Sequence, residues 1–307
     1  EVIFNGEQDK ITNKITKDNY KFYADKARHV QLETQKESLR LIKKYINKTK
    51  IKNVCIVGGY GLNVVANNYY VKNLPNVNFY FEPVADDTGI AIGAAYFKYR
   101  NVTKDNTVVT LKNNFYHYYE DSKINKGVEA TIEDVCKLLM DQKSVAIFEG
   151  AAEAGPRALG HRSILFDPRN KNCKDTVNKI KNREWYRPFA GVILKKEFKK
   201  YFNTLGLEES NNMTINFECK KNTVKLFPGV VHVDNSCRVQ TVSSGFLYNL
   251  LNHFDKLTKC PILLNTSLNL AGEPLVNTKE EALLLLNKSE LDAIYFVDEK
   301  KLIQKEK

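Results

Sequence analysis

The chain has 307 residues, of which 43% are hydrophobic, and it carries a formal net charge of +11 and six cysteines. This length predicts about two domains, and the apolar content is enough to give each a core. The cysteines stand singly, which excludes a zinc spacing or a disulfide framework, and the absence of a long apolar run excludes a transmembrane segment. These features predict a cytoplasmic protein with reduced thiols and no membrane partner.

The first hundred residues predict alternating helices and strands. Apolar residues recur at helical spacing over residues 19–47, and a buried strand over residues 54–57 ends in Gly58-Gly59. A helix begins near residue 62, and a strand over residues 77–82 precedes a helix over residues 89–100. A strand, a glycine turn and a helix direct backbone N–H groups to where phosphate or carbonyl oxygens can bind. The dinucleotide-binding fingerprint is not met, because Val64 occupies its third glycine position.

The rest of the chain continues the α/β pattern. Residues 101–126 are polar and rich in turn-forming residues, and they predict a linker. Residues 205–225 predict a surface loop or a hairpin. The regular elements predicted after the linker are helices over residues 132–141, 246–257 and 279–288, and strands over residues 144–148, 191–194, 238–242 and 261–264.

Residues 149–190 carry the densest set of reactive side chains. Arginines and lysines alternate there with Gly, Pro and aromatic residues, in contrast to the one-sided spacing of a solvated helix face. Arg supplies planar bidentate donors and Lys a compact charge, and both suit phosphate oxygens. The segment therefore predicts an anion-binding pocket rather than a basic surface. Its basic residues are Arg157, Arg162, Arg169, Lys181, Arg183 and Arg187.

Several motifs resemble those of the O-carbamoyltransferases that tailor nodulation factors and antibiotics. They follow one another in the family's order over residues 24–303. They are Gly58-Gly-x-x-Leu-Asn63, Pro83-x-x-x-Asp87-x-Gly89, Gly155-Pro-Arg-Ala-Leu-Gly160, Asn178-x-Ile-Lys-x-Arg183, His232-Val-Asp234-x-x-x-Arg238 and Asn265-Thr-Ser267-Leu-Asn269.

The resemblance implies an α/β fold made of two parts. Residues 1–108 would be the second half of an actin-like (ASKHA) transferase domain. Residues 109–307 would be a YrdC-like α/β domain with a twisted mixed sheet. The boundary would fall in the linker.

The resemblance also implies an ATP-dependent carbamoyltransferase. Carbamoyl phosphate and ATP would form carbamoyl-adenylate in the YrdC-like domain, and the actin-like domain would transfer the carbamoyl group to a hydroxyl of a small-molecule acceptor. Such a pocket must neutralise a triphosphate and exclude water from the mixed anhydride. The residues that match the family's catalytic positions are Arg157, Lys181, Arg187, Arg238 and Ser267. Those that match positions near the nucleotide or the carbamoyl group are Gly58, Gly59, Asn63, Arg162, Ser163, Arg183, Asn265 and Asn269.

A divalent metal ion, Fe²⁺ or Mg²⁺, is implied at the transfer site, with Asp87 as a ligand. The family's other ligands are histidines in a His-x-x-x-His motif, and the five histidines of this sequence contain no such pair. The metal site is therefore expected to be incomplete in this chain. Three explanations stay open: the amino-terminal half was removed, it is supplied as a separate chain, or the transfer activity is lost.

Several residues also have simpler structural explanations. Arg157 can pair with Glu153, and Asn63 can cap the following helix. His161 favours a hydrogen bond to backbone. The remaining structural alternatives are a turn braced by His232 and Asp234, core packing of Trp185 and Tyr186, and a packed rather than a reactive Cys237.

Two other functions stay open. The net charge of +11 is compatible with carbamoylation of a nucleotide or nucleic-acid hydroxyl. The absent histidine pair is compatible with a non-catalytic nucleotide-binding fragment.

Overall fold

A computed structural model describes residues 15–107 and 122–305 of the chain. It divides into two compact units, residues 1–54 and residues 55–307. The predicted domain boundary at residue 108 borders residues 108–121, which lie outside the described residues, so that boundary stays a prediction.

The first unit contains one long helix, α1 (Tyr20–Thr49). It ends at Lys50, whose left-handed conformation (φ 62°) lets its N–H bond the carbonyl of Ile46. The prediction of a helix over residues 19–47 is therefore confirmed. Strand β1 (Asn53–Ile56) follows and carries the chain into the second unit.

The second unit alternates helices and strands. Its α-helices are α2 (Val64–Asn73), α3 (Asp87–Thr103), α4 (Ile132–Met140), α5 (Cys173–Ile180), α6 (Phe198–Tyr201), α7 (Lys221–Leu226), α8 (Gly245–Thr258) and α9 (Lys279–Lys288). Its strands are β2 (Asn78–Phe81), β3 (Val128–Glu129), β4 (Val145–Phe148), β5 (Arg162–Phe166), β6 (Ala190–Leu194), β7 (Phe202–Asn203), β8 (Asn216–Cys219), β9 (Ser236–Val242), β10 (Ile262–Ser267), β11 (Ala293–Phe296) and β12 (Lys301–Gln304).

A ten-stranded mixed sheet dominates the unit, in the order β3-β12-β11-β4-β5-β10-β6-β9-β8-β7. The pairs β4–β11 and β6–β9 are parallel, whereas β10 runs antiparallel to both of its neighbours. Strands β1 and β2 form a separate two-stranded sheet. The predicted α/β class with a mixed sheet is therefore confirmed.

Helices cover the sheet and bury its apolar side chains. Leu285 and Leu286 of α9 pack against Phe148 and Phe296 of β4 and β11. Helix α8 contacts β6, β9 and β10 and also packs on α4. The strands at the middle of the sheet are buried along their whole length, which explains their continuous apolar runs.

The prediction for residues 205–225 was wrong in part. Residues 216–219 form strand β8, which is mostly buried, and α7 begins at Lys221. The alternative of a hairpin is closer, because β7 and β8 pair antiparallel. No helix within residues 15–107 and 122–305 is long and apolar enough to cross a membrane. The cytoplasmic location stays a prediction.

Candidate functional site

A pocket of about 440 Å³ brings together most of the side chains that the motifs singled out. Five segments of the chain contribute: the loop after β4, the loop before β6, the loop before β8, and strands β9 and β10. The lining residues are Pro156, Arg157, Ala158, Arg183, Tyr186, Arg187, Pro188, Met213, Arg238, Asn265, Thr266 and Ser267. We call this cavity the arginine pocket.

The register of the sheet explains why two of these residues meet. Ala190 of β6 pairs with Asn265 of β10 on one side and with Arg238 of β9 on the other. Side chains in one such row project from the same face, and neighbouring strands are about 4.8 Å apart. The small Ala190 between them leaves room, so Asn265 and Arg238 flank an open position on the sheet.

The four arginines of the pocket face no carboxylate from the lining residues that the structure describes. Arg157 donates to the carbonyl of Leu62 (3.1 Å), and its Nε is buried without a partner. The Nε of Arg238 is likewise buried and unpartnered. Desolvation lowers the pKa of both groups, that of Arg238 to about 9, and the charges of Arg157 and Arg183 add to the effect on Arg238. These orphaned donors fit an anionic ligand.

Arg183 and Arg187 belong to the loop that Asn178 organises. The Oδ1 of Asn178 accepts from Arg183 Nε (2.7 Å), and its Nδ2 donates to the carbonyl of Arg187. Desolvation, followed by the charge of Arg187, lowers the pKa of Arg183 to about 10. The Arg187 side chain is exposed and pairs with Glu184 (2.6 Å). Arg187 is therefore the arginine of the pocket that is closest to solvent and the easiest to move.

Lys181 lies directly behind the pocket and is 2% exposed. Its Nζ donates to the Oγ of Ser267 (3.0 Å), to the Oδ1 of Asn269 (2.7 Å) and to the carbonyl of Ser267. Desolvation and then the charge of Arg183 lower the pKa of Lys181 to about 7. Its charge therefore changes close to neutral pH, and an anion beside it would favour the protonated form.

The loop that carries Arg157 is shaped by a buried carboxylate. The Oε1 of Glu153 accepts from the backbone N–H groups of Leu159 (2.7 Å), His161 (2.9 Å) and Arg162 (3.2 Å). Glu153 is 1% exposed. The suggested pairing of Arg157 with Glu153 is not found, because Glu153 uses this oxygen to fold the loop. No local pattern indicated this role, apart from the position of an acidic residue before Gly-Pro.

Two residues predicted near the nucleotide, Arg162 and Ser163, lie in strand β5 of the sheet. Arg162 is fully buried and donates to the carbonyls of Glu149 and Gly150, and its guanidinium lies 3.5 Å from the centre of the Phe148 ring. The Oγ of Ser163 accepts from the N–H of Gly160 (3.0 Å). Neither residue lines the arginine pocket, and both fix the strand that supports it.

The Gly58–Asn63 turn contacts the pocket through the bond from Arg157 to the carbonyl of Leu62. Gly58 adopts a positive φ of 80°, which favours glycine, and nothing described lies within 4 Å of a Cβ placed at Gly58 or Gly59. The Asn63 side chain caps α2 by accepting from the N–H of Ala66 (3.1 Å). The helix-cap alternative for Asn63 is therefore observed, and its ligand contact stays a prediction.

The described residues do not make up a metal site at Asp87. Asp87 is exposed in the first turn of α3, while Asp86 caps the helix through Thr88. Within residues 15–107 and 122–305, no group of three or more His, Cys, Asp or Glu side chains could hold a metal ion. The described donor set does not fit the implied ion.

The structural alternatives for His161, His232 and Cys237 are observed. The Nδ1 of His161 lies 2.8 Å from the carbonyl of Ala151, and the Nε2 of His232 lies 2.9 Å from the carbonyl of Phe189. Asp234 accepts from Ser236, so the turn is braced as suggested. Cys237 is fully buried, and desolvation raises its pKa, which makes it a packed thiol.

The aromatic pair next to the arginine loop lies at the surface rather than in the core. Trp185 is 45% exposed, and Tyr186 packs edge-on against it while lining the arginine pocket. Met213 also lines the pocket and was missed, because it reaches the site from the stretch that was assigned to an irregular loop. No local pattern marks such a residue.

Two sequence models of one family match the chain. The model described as "Carbamoyltransferase C-terminus" matches residues 136–305, and the one described as "Carbamoyltransferase N-terminus" matches residues 4–96. The arginine pocket lies within the first of these matches, apart from the contact to Leu62.

Similar proteins are longer than this chain. An uncharacterised protein of Synechocystis is 32% identical over 87% of the chain and 50% of its own length. The nodulation protein NolNO of Sinorhizobium fredii is 31% identical over 80% of the chain and 39% of its own length. Full-length HypF in a phosphate- and nucleotide-bound form aligns with a TM-score of 0.41 and 22% identity, over 56% of this chain and 24% of HypF. The chain thus spans about half or less of the proteins it resembles.

Proposed function

The chain belongs to the carbamoyltransferase family, and from this premise we propose that its arginine pocket forms carbamoyl-adenylate from ATP and carbamoyl phosphate. The carbamoyl group then passes to a hydroxyl of a small-molecule acceptor. Both steps are proposals, because the chain spans 50% of the Synechocystis relative and 39% of NolNO. The acceptor molecule must carry a hydroxyl group.

The observation that carries the proposal is the convergence of four arginines, of which Arg187 alone has a carboxylate partner, Glu184, among the described ion pairs. Arg157, Arg183, Arg187 and Arg238 line one cavity of about 440 Å³, within the range of small-molecule sites. Buried cations with lowered pKa values are unfavourable unless a ligand supplies negative charge. A nucleoside triphosphate supplies that charge, and guanidinium groups bind its phosphate oxygens in bidentate geometry.

The proposed chemistry needs such a pocket at the α-phosphate. Carbamate, released with phosphate when carbamoyl phosphate takes up water, attacks the α-phosphorus of ATP through one oxygen. The bond from the α-phosphorus to the oxygen shared with the β-phosphate breaks, and pyrophosphate leaves. Negative charge grows on the phosphoryl oxygens in the transition state, and fixed cations stabilise it. An acceptor hydroxyl then attacks the carbamoyl carbon, loses its proton and releases AMP.

The positions of the cations suggest how they divide this work. Arg157 and Arg238 are held at the interior of the pocket, where unpartnered Nε atoms can bind the α-phosphate and the carbamate. Arg187 is exposed and can leave Glu184 to bind the departing pyrophosphate. Protonated Lys181 holds Ser267, which lines the pocket, and also donates to Asn269.

The test is exchange of labelled pyrophosphate into ATP in the presence of carbamoyl phosphate. The wild-type chain should catalyse this exchange, and Arg187→Ala or Lys181→Ala should abolish it. Arg169→Ala is the matched control, because Arg169 is paired with Asp167 and does not line the pocket.

Three outcomes discriminate the possibilities. Exchange that depends on carbamoyl phosphate, and is lost in the pocket variants alone, supports the proposal. Exchange that persists in both pocket variants removes the pocket assignment. ATP binding without exchange points to the alternative of a nucleotide-binding module without catalysis.

A further inference from the structure

Two buried amide side chains connect the arginine pocket to the loop of residues 158–160. The Nδ2 of Asn265 donates to the carbonyl of Ala158 (3.3 Å) and to the Oε1 of Gln240 (2.9 Å). The Nε2 of Gln240 donates to the carbonyl of Leu159 (2.7 Å). Asn265 is fully buried and Gln240 is 4% exposed. The two amide side chains thus form a continuous chain of hydrogen bonds between the peptide carbonyls of Ala158 and Leu159.

This chain allows one orientation of both amides. The carbonyl of Leu159 accepts only, so Gln240 must direct its NH₂ group toward it and its oxygen toward Asn265. Asn265 must then direct its own NH₂ group toward Gln240 and Ala158. The reversed amide of Asn265 would place its oxygen against two acceptors. Main-chain geometry therefore sets the direction of the Asn265 carbonyl.

The Oδ1 of Asn265 is left buried without a partner among the described residues. Asn265 is also the one amide among the residues that line the arginine pocket. A buried acceptor with no partner is unfavourable, and a ligand that donates a hydrogen bond would satisfy it. The ligand must therefore carry an N–H or O–H group at a place otherwise surrounded by cations.

The carbamoyl NH₂ group meets this requirement best. Asn265 and Arg238 flank Ala190 on the sheet. The Oδ1 acceptor of Asn265 therefore lies beside the guanidinium groups that are proposed to hold the charged part of the nucleotide. The adenine amino group also donates, but the base carries no negative charge for these cations to neutralise. Carbamate carries both an NH₂ donor, which Asn265 can accept from, and charged oxygens, which the arginines can bind.

We propose, on the basis of the proposed function, that the Oδ1 of Asn265 accepts a hydrogen bond from the NH₂ group of the carbamoyl donor. Gln240 is the positioning residue that holds the Oδ1 of Asn265 toward the ligand. Gln240 does not touch the substrate in this scheme. It acts by excluding the reversed orientation of Asn265. A donor with methyl in place of NH₂ would leave the Oδ1 of Asn265 unpaired, and the site would reject it.

The experiment compares carbamoyl phosphate with acetyl phosphate in pyrophosphate exchange. The wild-type chain should prefer carbamoyl phosphate in kcat/KM by on the order of 10²-fold or more, as expected for a site built around a substrate NH. Gln240→Met keeps the side-chain volume but removes both hydrogen bonds, and it should lower this preference about tenfold or more. Affinity for ATP, measured by calorimetry, should stay within about twofold of wild type, since the arginines are unchanged.

Gln142→Met is the matched control. Gln142 is a partly buried glutamine that bonds Asp167 and does not line the pocket. It should leave the donor preference unchanged. If Gln240→Met does not fold, Asn265→Ser serves as the second variant and should show the same loss of preference with ATP affinity retained.

Several results would overturn the inference. One is an unchanged donor preference in the variants, and another is equal use of both donors by the wild type. A loss of ATP affinity that matches the loss of donor use would instead assign Asn265 to the nucleotide. Absence of exchange with either donor in a wild-type chain that binds ATP would reject the proposed function itself, and the inference with it.

Discussion

Replacing Arg238 with methionine should move protein stability and nucleotide affinity in opposite directions. The Nε of Arg238 is buried without a partner, and desolvation, together with the charges of Arg157 and Arg183, lowers its pKa to about 9. Free protein therefore holds this charge at an energetic cost. Methionine has a similar length and no charge, so it relieves the cost but removes donors that an anionic ligand would use.

The magnitudes follow from the pKa and from hydrogen-bond energies. A fall from 12.5 to about 9 gives an upper bound of about 5 kcal/mol, at about 1.36 kcal/mol per unit. Water in the open pocket screens the charge, so the free energy of unfolding should rise by about 1–2 kcal/mol. Loss of a charged hydrogen bond to phosphate costs about 1.5–3 kcal/mol, which weakens ATP binding roughly 10- to 150-fold.

Urea unfolding and titration calorimetry with ATP measure the two quantities. Arg169→Met is the control, because Arg169 pairs with the fully buried Asp167 and lies outside the pocket lining. Arg169→Met should lower stability, since it leaves a buried carboxylate unpaired, and should leave ATP affinity unchanged. A loss of stability in Arg238→Met, or unchanged ATP binding, would refute the reasoning about an unpaired charge.

Three further predictions concern single side chains. Lys181 loses its proton near pH 7 in the free protein, so calorimetry should show ATP affinity falling up to about tenfold from pH 6 to pH 8, and Lys181→Met should show no such fall. The pKa of lysine in an unfolded chain is about 10.4, so above pH 7 the unfolded state binds this proton and the folded state does not. The free energy of unfolding, measured with urea, should therefore rise with pH above 7 in the wild type. Glu153→Ala leaves three backbone N–H groups without their acceptor and should lower the unfolding free energy by about 2–4 kcal/mol, whereas Glu153→Gln keeps an oxygen there and should cost less; equal costs would contradict this role. Lys279→Met leaves its partner Glu299 in a largely buried position and should cost about 3–5 kcal/mol, while the half-exposed Lys143 gives a reference loss of about 0–1 kcal/mol on the same substitution.

The sequence indicated which arginines lie close together, but it did not indicate which groups each of them contacts. Glycine, proline and aromatic residues between the charges marked a shaped site, and four of the named arginines do line one cavity. Arg162 carries the same local pattern but is satisfied by main-chain carbonyls from distant segments. Nothing within a few residues of Arg162 shows where those carbonyls lie, because they are brought there by the packing of the sheet.

The same limit applies to the fold. Helix α1 was predicted from its apolar periodicity and strand β4 from its continuous apolar run, and both signals are local. Strand β5 was missed because its first residue is charged, and β8 was missed because polar residues flank it. Each becomes a strand by pairing with neighbours far along the chain, and a short segment does not encode that pairing.

The loop of residues 158–160 contributes through its peptide carbonyls, and this has an evolutionary consequence. The carbonyls that orient Gln240 and Asn265 belong to the main chain, so substitutions that keep the buried volume of Ala158 and Leu159 would leave the hydrogen bonds intact. Selection would act instead on the two amides jointly. Homologues that accept another acyl group should therefore differ at Gln240 and Asn265 together, and such correlated exchange would trace changes of donor across the family.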